Sequence, residues 1–395
     1  MRKHILKNKD SDIPKYMTGE GKIVRWGRCV CGGRWSNSPP GIWTRKKKKN
    51  QKPSPSADFK LRLCSVLGTI KRSKMAVVQK GKVCVTGAGG FLGSWVVDLL
   101  LSRDYFVHGT VRDPDNEKYA HLKKLDKAGD KLKLFKADLL DYGSLKSAIV
   151  GCSGVFHVAC PVPSSSVPNP ELELIAPAVD GTLNVLKACI EANVKRVVYV
   201  SSVAALFMNP LWSKNQVLDE TCWSDQDFCK KTENWYCLSK TRAESEAFAF
   251  AKQTGLDLVS ICPTLVLGPI LQQHTVNASS LVLLKLIKEG FESRDNQERH
   301  LVDVRDVAQA LLLVYEKAEA EGRYICSSYS VKEQEVVEKL KSLYPNYNYP
   351  KSYIEAEEKV KLSSEKLQKL GWTSRPLEET LADSVESYRK AKLVD

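Results

Sequence analysis

The sequence predicts an α/β fold, a doubly wound parallel sheet followed by a smaller lobe. Two patterns predict the sheet: short β-branched runs alternate with helical segments, and a glycine cluster directly follows the first run. The hydrophobic content of 43% is sufficient for a large packed core. We expect residues 1–74 to be a basic, disordered extension and residues 75–267 the sheet domain. Residues 268–395 are expected to form mainly the lobe, with a part around 300–315 returning to the sheet domain.

The positive charge of the chain is concentrated in its first segment. Residues 1–74 contain 20 Lys/Arg and 4 Asp/Glu, a net charge of +16, whereas residues 75–395 contain 40 and 42, a net charge of −2. No nucleic-acid partner is therefore expected for the folded part. Three interpretations of residues 1–74 remain open: leader ahead of a translation start at Met75, an organelle transit peptide, or a nuclear or nucleic-acid-binding tail resting on the run Arg45–Lys49.

Apolar runs and cysteines bear on the cellular compartment. Stretches such as Leu281–Ile287 are far shorter than the roughly 20 residues that span a bilayer, so no membrane partner is expected. Many of the 12 cysteines lie in apolar, strand-like runs, which favours free thiols in a reducing compartment. We therefore expect a cytoplasmic protein without a metal site, with organelle targeting by residues 1–74 as the alternative.

The first strand and the segment after it predict a dinucleotide site. Lys82–Thr86 is a β-branched run, the glycines Gly87, Gly90 and Gly93 follow at once, and a helical pattern continues to Ser102. Such glycines allow a tight turn and let backbone N–H groups approach a pyrophosphate at the helix N-terminus. The arrangement is typical of a Rossmann-type nucleotide-binding domain.

The end of the second strand indicates which nucleotide is bound. Phe106–Arg112 is expected to form this strand, and it ends about 20 residues after the glycine turn, where an NAD-binding unit usually carries Asp or Glu. Arg112 instead suits a 2′-phosphate, with Lys118 as a second cation. The alternative is that Arg112 is solvated and Asp113 holds the ribose. The substitution favours NADP(H) over NAD as the cofactor.

Further strands and helices extend the same alternation, which predicts a parallel sheet covered on both faces. One intervening helix is Gly181–Ala192, and the expected strands are Lys133–Ala137, Gly154–Ala159, Arg196–Val200 and Leu256–Ile261. Asp138 and Leu139 close the third strand, where we expect them to face the adenine. A surface loop is the alternative for Asp138.

A tyrosine and a lysine supply the candidate chemistry. Tyr236 and Lys240 lie four residues apart in a helical stretch and therefore share one helix face. A Lys ammonium beside the phenol, together with the positive nicotinamide, is expected to lower the pKa of Tyr236 from about 10. Tyr236 can then donate a proton to a carbonyl oxygen as hydride reaches the carbon. Ser201 and Ser202 end the Arg196–Val200 strand at the edge where such sheets bind ligands.

These motifs together resemble the extended short-chain dehydrogenase/reductase superfamily, and within it the plant cinnamoyl-CoA reductase and dihydroflavonol reductase group. The resemblance covers residues 80 to about 390. It is carried by Val85–Gly93, Thr110–Pro114, Ser201-Ser202, Asp219–Asp225, Asn234–Lys240, Cys262–Pro269, Thr275–Ser279 and Val302–Val307.

The resemblance implies roles for individual residues. Ser202, Tyr236 and Lys240 would be the catalytic residues, with Asn184 as a fourth. Ser202 is preferred to Ser201 because its 34-residue distance to Tyr236 is similar to the family's. The implied cofactor-binding residues are Gly87, Gly90, Phe91, Leu92, Gly93, Arg112, Lys118, Asp138, Leu139, Ala159, Tyr236, Lys240 and Pro263.

The resemblance also implies an NADPH-dependent carbonyl reductase of plant phenylpropanoid metabolism, monomeric or homodimeric, acting on a small molecule. True cinnamoyl-CoA reductases usually read Tyr-Cys-Tyr-Gly-Lys where this chain reads Tyr-Cys-Leu-Ser-Lys240, and Val-Ala-Cys-Pro161 replaces the usual Thr-Ala-Ser-Pro. These departures look like a reductase-like side branch that prefers aldehydes or ketones. A hydroxycinnamoyl-CoA thioester or phenylpropanoid-type aldehyde is expected first and a dihydroflavonol-type ketone second. A non-catalytic NADP-sensing protein is the alternative from another class.

Three smaller features have ordinary structural interpretations. His157, at the end of the fourth strand, is expected in the wall of the cofactor pocket or in the core rather than as an acid or base. Asn277-Ala-Ser279 matches a glycosylation sequon but is interpreted as a substrate-side loop. Cys229 and Cys237 are expected to be buried thiols, with pairing under oxidation as the alternative.

Overall fold

The computed structural model describes residues 80–162, 167–213, 216–272, 276–356 and 360–395. The predictions made for residues 1–74, for Met75 and for Thr275 lie outside these ranges. Among the helices within them, none combines the length and the apolar character that crossing a membrane requires.

Fourteen β-strands lie within the described residues. They are β1 (Lys82–Thr86), β2 (Phe106–Val111), β3 (Leu132–Lys136), β4 (Gly154–His157), β5 (Arg196–Val200), β6 (Val217–Leu218), β7 (Leu258–Pro263), β8 (Leu265–Leu267), β9 (Ser293–Asn296), β10 (Glu298–Asp303), β11 (Gly322–Cys326), β12 (Tyr329–Lys332), β13 (Ser352–Glu355) and β14 (Lys361–Leu362).

The α-helices of the same ranges are likewise given in order. They are α1 (Phe91–Ser102), α2 (Ala120–Lys123), α3 (Ala128–Lys131), α4 (Tyr142–Ile149), α5 (Ala176–Glu191), α6 (Gln226–Lys231), α7 (Trp235–Thr254), α8 (Ala278–Lys288), α9 (Val304–Glu316), α10 (Glu333–Leu343), α11 (Glu365–Lys369) and α12 (Leu377–Lys390). A π-helical turn, Glu171–Ile175, leads directly into α5.

The main sheet has seven strands in the order β11-β7-β5-β4-β1-β2-β3. Every pair of neighbouring strands is parallel. The chain runs outward from β1 to β3 and then returns to β4 on the other side of β1. A crevice therefore opens at the carboxyl ends of β1 and β4, where ligands bind in sheets of this kind. The predicted Rossmann-type, doubly wound sheet is confirmed.

Two apolar cores lie on the two faces of this sheet. Because side chains alternate along a strand, Val83 and Val85 of β1 join one core and Cys84 joins the other, all fully buried. The first core is completed by α1 and α9, and the second by α4, α5 and α7. Strands that are buried on both faces explain the continuous β-branched runs in the sequence.

Local signals set the position of α7 along the chain. The Asn234 side chain accepts a hydrogen bond from the Cys237 N–H at 3.4 Å at the start of the helix, and Gly255 ends it with a φ of 74°. These boundaries place Tyr236 in the first turn of the helix and Lys240 in the second.

The residues after β8 form most of the smaller lobe, but two pieces return to the main sheet. The lobe contains the three-stranded sheet β12-β10-β8, and α8, α10 and α12 pack around an apolar core. From the same part of the chain, α9 packs on α1, and β11 pairs with β7 as the edge of the main sheet. A return around residues 300–315 was expected from the sequence, but the edge position of β11 was not. The domain boundaries themselves stay a prediction.

Candidate active site

A cavity of about 800 Å³ opens at the carboxyl ends of the central strands. It is lined by backbone and side chains from the glycine turn, from the ends of β2, β4 and β5, and from α7. The predicted site residues that line it are Gly87, Gly90, Phe91, Leu92, Gly93, Arg112, Asp138, Leu139, Ala159, Ser202, Tyr236, Lys240 and Pro263. The structure therefore brings residues from the whole length of the sheet domain into one site.

The glycine turn at the floor of the cavity has no room for side chains at two positions. Gly87 has a φ of 67°, and a Cβ there would lie 2.9 Å from the Ala159 Cα. A Cβ on Gly93 would collide with the Gly87 carbonyl oxygen. The turn leads directly into α1, whose N-terminal backbone N–H groups lie at the cavity. This cradle fits the pyrophosphate of a dinucleotide.

The far end of the cavity carries the groups expected to meet the adenosine. Arg112 is exposed directly after β2, and Asp138 lies after β3, where its carboxylate accepts a hydrogen bond from the Leu140 N–H at 2.9 Å. Thr110 and Tyr119 also line this end, and the sequence analysis missed both. Thr110 lies two residues before Arg112, so strand periodicity was an available signal for it.

Two predicted residues, Lys118 and Asn184, do not line the cavity. The Lys118 ammonium lies 4.9 Å from the centroid of the Tyr119 ring, so its contact with the site is through that ring. The Asn184 side-chain amide donates to the Leu139 carbonyl at 3.1 Å, which fixes the backbone of a cavity-lining residue. The placement of Asn184 thus differs from that of a fourth catalytic group, and direct roles for both residues stay predictions.

Tyr236, Lys240 and Ser202 meet in the cavity beneath the end of β5. Lys240 is buried, and its Nζ donates to the Val200 carbonyl at 3.2 Å. Tyr236 lies one turn earlier on the same face of α7 and is partly buried. The Ser202 Oγ accepts a hydrogen bond from the Ala204 N–H at 3.1 Å and also interacts with the Tyr236 hydroxyl. The chain order Ser202, Tyr236, Lys240 becomes a cluster because β5 ends and α7 begins at the same edge of the sheet.

Ser201 and Ser202 have different surroundings. The Ser201 hydroxyl donates to the Glu244 carboxylate at 2.8 Å, so its proton is directed into the protein. Among the residues that the structure describes, no carboxylate accepts from the Ser202 hydroxyl, which lies beside Tyr236. This arrangement makes Ser202 the better candidate for contact with a substrate oxygen.

The protein groups around Tyr236 do not lower the pKa of its phenol. Burial raises the pKa of Tyr236, and this effect exceeds the lowering by the Lys240 charge and by the Ser202 hydroxyl. The protein groups alone therefore do not produce the predicted lowering of the pKa of Tyr236, and the part of the prediction that rests on the nicotinamide stays a prediction. Burial also disfavours the charge of Lys240, but its interactions with Cys160, Tyr199 and Tyr236 outweigh burial and hold the pKa of Lys240 above its usual value.

His157 is a buried core residue, one of the two expected positions. Its Nδ1 lies 2.8 Å from the Thr86 hydroxyl and its Nε2 lies 3.1 Å from the Thr182 hydroxyl. Burial, assisted by the Lys240 charge, lowers the pKa of His157 to about 3. The ring is therefore neutral at physiological pH and does not line the cavity.

The sequon and the two flanking cysteines also have defined positions. Asn277 begins α8, where its side chain accepts a hydrogen bond from the Ser280 N–H at 2.9 Å, and both Asn277 and Ser279 line the cavity. This position agrees with the interpretation as a substrate-side loop. Cys229 and Cys237 are free, buried thiols in one apolar cluster against Tyr236.

The chain is similar in sequence to a known protein family and to characterised reductases. Residues 83–327 match the model of the NAD dependent epimerase/dehydratase family. The chain is 47% identical over 320 residues to cinnamoyl-CoA reductase 1 of Petunia hybrida, covering 80% of this chain and 94% of that protein. It is 42% identical over 313 residues to tetraketide alpha-pyrone reductase 1 of Arabidopsis thaliana, covering 78% and 95%.

Two similar structures extend the comparison to the fold. Vestitone reductase from alfalfa (Medicago sativa) superimposes with a TM-score of 0.69 at 32% identity, covering 80% of this chain and all of that one. Gre2 from Candida albicans in complex with NADPH superimposes with a TM-score of 0.68 at 28% identity, covering 79% and 99%.

Proposed function

The chain belongs to the NAD dependent epimerase/dehydratase family and is an NADP-dependent oxidoreductase, and we propose that its substrate is a hydroxycinnamoyl-CoA thioester or a phenylpropanoid-type aldehyde. The observation that carries the proposal is the convergence of Tyr236, Lys240 and Ser202 in the cavity that also holds the glycine cradle. The 47% identity to a cinnamoyl-CoA reductase supports the substrate class.

The residues at the floor and far end of the cavity fit NADPH. Backbone N–H groups at the start of α1, such as those of Phe91 and Leu92, would bind its pyrophosphate, and Arg112 would bind its 2′-phosphate. Lys240 would bind the nicotinamide ribose. When bound, the cofactor supplies the hydride for the reduction.

Tyr236, Lys240 and Ser202 have separate roles in the protonation and orientation of the substrate carbonyl group. Because burial raises its pKa, Tyr236 is protonated at neutral pH and is ready to give its proton to the substrate oxygen. The buried positive charge of Lys240 stabilises the tyrosinate that this transfer leaves. Ser202 donates a hydrogen bond to the same oxygen and so orients the carbonyl group. Tyr236 then regains a proton from water.

The two kinds of substrate lead to different products. A thioester passes through a thiohemiacetal to the aldehyde and free CoA, whereas an aldehyde or ketone stops at the alcohol. A flavonoid-type ketone is the second candidate, favoured by the similarity to vestitone reductase and by 40% identity to a protein described as a putative anthocyanidin reductase from Ginkgo biloba.

The test follows the loss of NADPH absorbance with the full chain and three substrates in parallel: a hydroxycinnamoyl-CoA, the matching free aldehyde, and a dihydroflavonol. Turnover of the thioester supports a true cinnamoyl-CoA reductase despite Leu238 and Ser239. Turnover of the aldehyde alone supports the reductase-like branch, and turnover of the ketone alone favours the second candidate. Loss of turnover in Tyr236→Phe with NADPH binding retained would exclude a non-catalytic NADP-sensing protein, and a wild type that reduces none of the three contradicts the proposal.

Location and assembly form part of the same proposal. We propose a cytoplasmic monomer or homodimer. Imaging of a fluorescent fusion to the full chain tests the location, because import into an organelle would reveal a transit function in residues 1–74. Sedimentation of the same chain distinguishes the two assemblies.

A further inference from the structure

A buried ion pair lies behind the Ser201-Ser202 strand end and outside the cavity. Glu244 on α7 is fully buried, and its carboxylate accepts hydrogen bonds from Arg323 Nε at 3.0 Å and Nη2 at 2.9 Å. Arg323 belongs to β11 and is 6% exposed. Replacing such a pair by apolar residues often leaves stability unchanged or improved, so stability alone is weak grounds for its presence.

Glu244 connects α7 to the catalytic end of β5. Tyr236, Lys240 and Glu244 follow at intervals of four residues, so they occupy one face of α7. Lys240 donates to the Val200 carbonyl at 3.2 Å, and Glu244 accepts from the Ser201 hydroxyl at 2.8 Å. Two successive turns of the helix thus hold two successive residues of the strand end. These two contacts fix the position of α7, along its own axis, relative to the end of β5.

Arg323 also connects Glu244 to residues 220–224, which contact the residues that follow Ser202. Its Nη1 donates to the Cys222 carbonyl at 2.7 Å and the Glu220 carbonyl at 3.2 Å, and its guanidinium lies 3.7 Å from the Trp223 ring centroid. The next residue, Ser224, hydrogen-bonds the carbonyls of residues 204 and 205. Residues on both sides of Ser202 therefore depend on this pair.

We propose that Glu244 and Arg323 are positioning residues for the reduction. They hold α7 in the position that places Tyr236 and Lys240 next to Ser202. The inference rests on the proposed function, in which Tyr236 is the proton donor. Misplacement of a reacting group by about 1 Å can lower a rate by about 100-fold, so a pair outside the cavity can control kcat. Lys240 is also expected to contact the nicotinamide ribose, but the cradle and Arg112, which would bind the phosphates, do not depend on this pair, so the Kd for NADPH is expected to change by less than about twofold.

Two serines offer a matched pair of variants. Ser201 and Ser260 are both buried, and each donates one hydroxyl hydrogen bond to Glu244, at 2.8 Å and 2.6 Å. Only Ser201 belongs to the strand end that leads to Ser202. Ser201→Ala is expected to lower kcat about tenfold with the Kd for NADPH unchanged, whereas Ser260→Ala keeps kcat within about twofold. Both variants should lose similar thermal stability, since each removes one buried hydroxyl.

A double-mutant cycle separates the link through Glu244 from a direct effect of Ser201 on the substrate. If both residues act through one contact, adding Ser201→Ala to Glu244→Leu, whose side chain accepts no hydrogen bond, changes kcat by less than about twofold. Glu244→Leu leaves Arg323 without its charged partner and can reduce folding yield. The comparison of kcat between Ser201→Ala and Ser260→Ala does not require the Glu244 variant.

Hydrogen exchange of the full chain provides a second measure that needs no substrate. The proposal predicts faster amide exchange in residues 235–244 of Ser201→Ala than of Ser260→Ala. Equal losses of kcat in the two serine variants, full additivity in the double-mutant cycle, or equal exchange would overturn the inference. A wild type that reduces no carbonyl substrate contradicts the proposed function instead, and the exchange comparison then still decides the inference.

Discussion

Arg112 is expected to set the preference of the enzyme for NADPH over NADH. The guanidinium lies directly after β2 at the end of the cavity opposite Tyr236, and it is exposed. Replacing it by alanine removes the positive charge expected beside the 2′-phosphate, the group that NADH lacks. Arg112→Ala should therefore weaken the binding of NADPH and leave the binding of NADH nearly unchanged.

The exposure of Arg112 limits the size of the effect. Two unit charges about 4 Å apart interact by about 4 kcal/mol at the effective dielectric of a protein surface and by about 1 kcal/mol in bulk water. A side chain at the rim of a cavity lies between these limits, so we take about 2 kcal/mol. This corresponds to a roughly thirtyfold rise in the KM for NADPH, whereas the KM for NADH should change by less than about twofold.

The assay is steady-state reduction of the best carbonyl substrate with each cofactor, and Lys118→Ala is the matched control. Lys118 is the second cation predicted from the sequence, but it contacts the Tyr119 ring and does not line the cavity. We expect its removal to raise the KM for NADPH by less than about threefold. Raising the ionic strength should weaken NADPH in the wild type more than in Arg112→Ala, because salt screens an exposed charge pair.

Two results would refute this reasoning. Equal losses for NADPH and NADH in Arg112→Ala would mean that the guanidinium supports the site as a whole and does not read the 2′-phosphate. Equal effects of Arg112→Ala and Lys118→Ala would mean that the general positive potential, rather than a specific contact, attracts the cofactor. If Asp113 held the ribose instead, Asp113→Asn would be the variant that changes the KM for NADH.

Three further predictions address the cradle, the substrate oxygen and a core residue. Gly93→Ala should weaken NADPH binding about tenfold, because its Cβ meets backbone, whereas Gly129→Ala, which meets nothing within 4 Å, should bind normally in the same fluorescence titration. Ser202→Ala should lower kcat about 100-fold with the Kd for NADPH unchanged, and an unchanged kcat would remove Ser202 from the mechanism. Because the pKa of His157 is about 3 in the folded protein, only the unfolded state takes up its proton below about pH 6.5. His157 should therefore lower the unfolding free energy by up to about 1.4 kcal/mol per pH unit as the pH decreases from 6.5 to 5, and denaturant titrations of His157→Asn should show a pH slope that is smaller by this amount.

The features that could be predicted from the sequence are those with a local signature. Each of these features depends on residues close together in the chain or on the regular repeat of a strand or helix. They are the β-branched runs, the glycines after β1 and the spacing of Tyr236 and Lys240. A parallel sheet then brings strand ends together at one edge, which is why Arg112, Asp138 and Ser202 could be assigned to one site before their distances were known.

The features that could not be predicted depend on partners far apart in the chain. The edge position of β11 follows from pairing with β7, about 60 residues earlier, and the residues of β11 carry no mark of that partner. The pKa of Tyr236 was expected to fall because the spacing reveals Lys240 but not the extent of burial. Helix periodicity predicts the face on which Asn184 lies but not how far its side chain extends. Its contact with the Leu139 backbone, rather than with the cavity, therefore could not be predicted.

The distance along the chain between Glu244 and Arg323 has a consequence for synthesis on the ribosome. The two residues are 79 positions apart, so at about 5 to 20 residues per second the arginine emerges several seconds after the carboxylate that it neutralises. Throughout that interval the nascent chain carries an unpaired acid on α7 and an open edge at β7, where strands of other chains can pair. The sheet domain therefore completes its assembly only after nearly half of the C-terminal lobe has been translated.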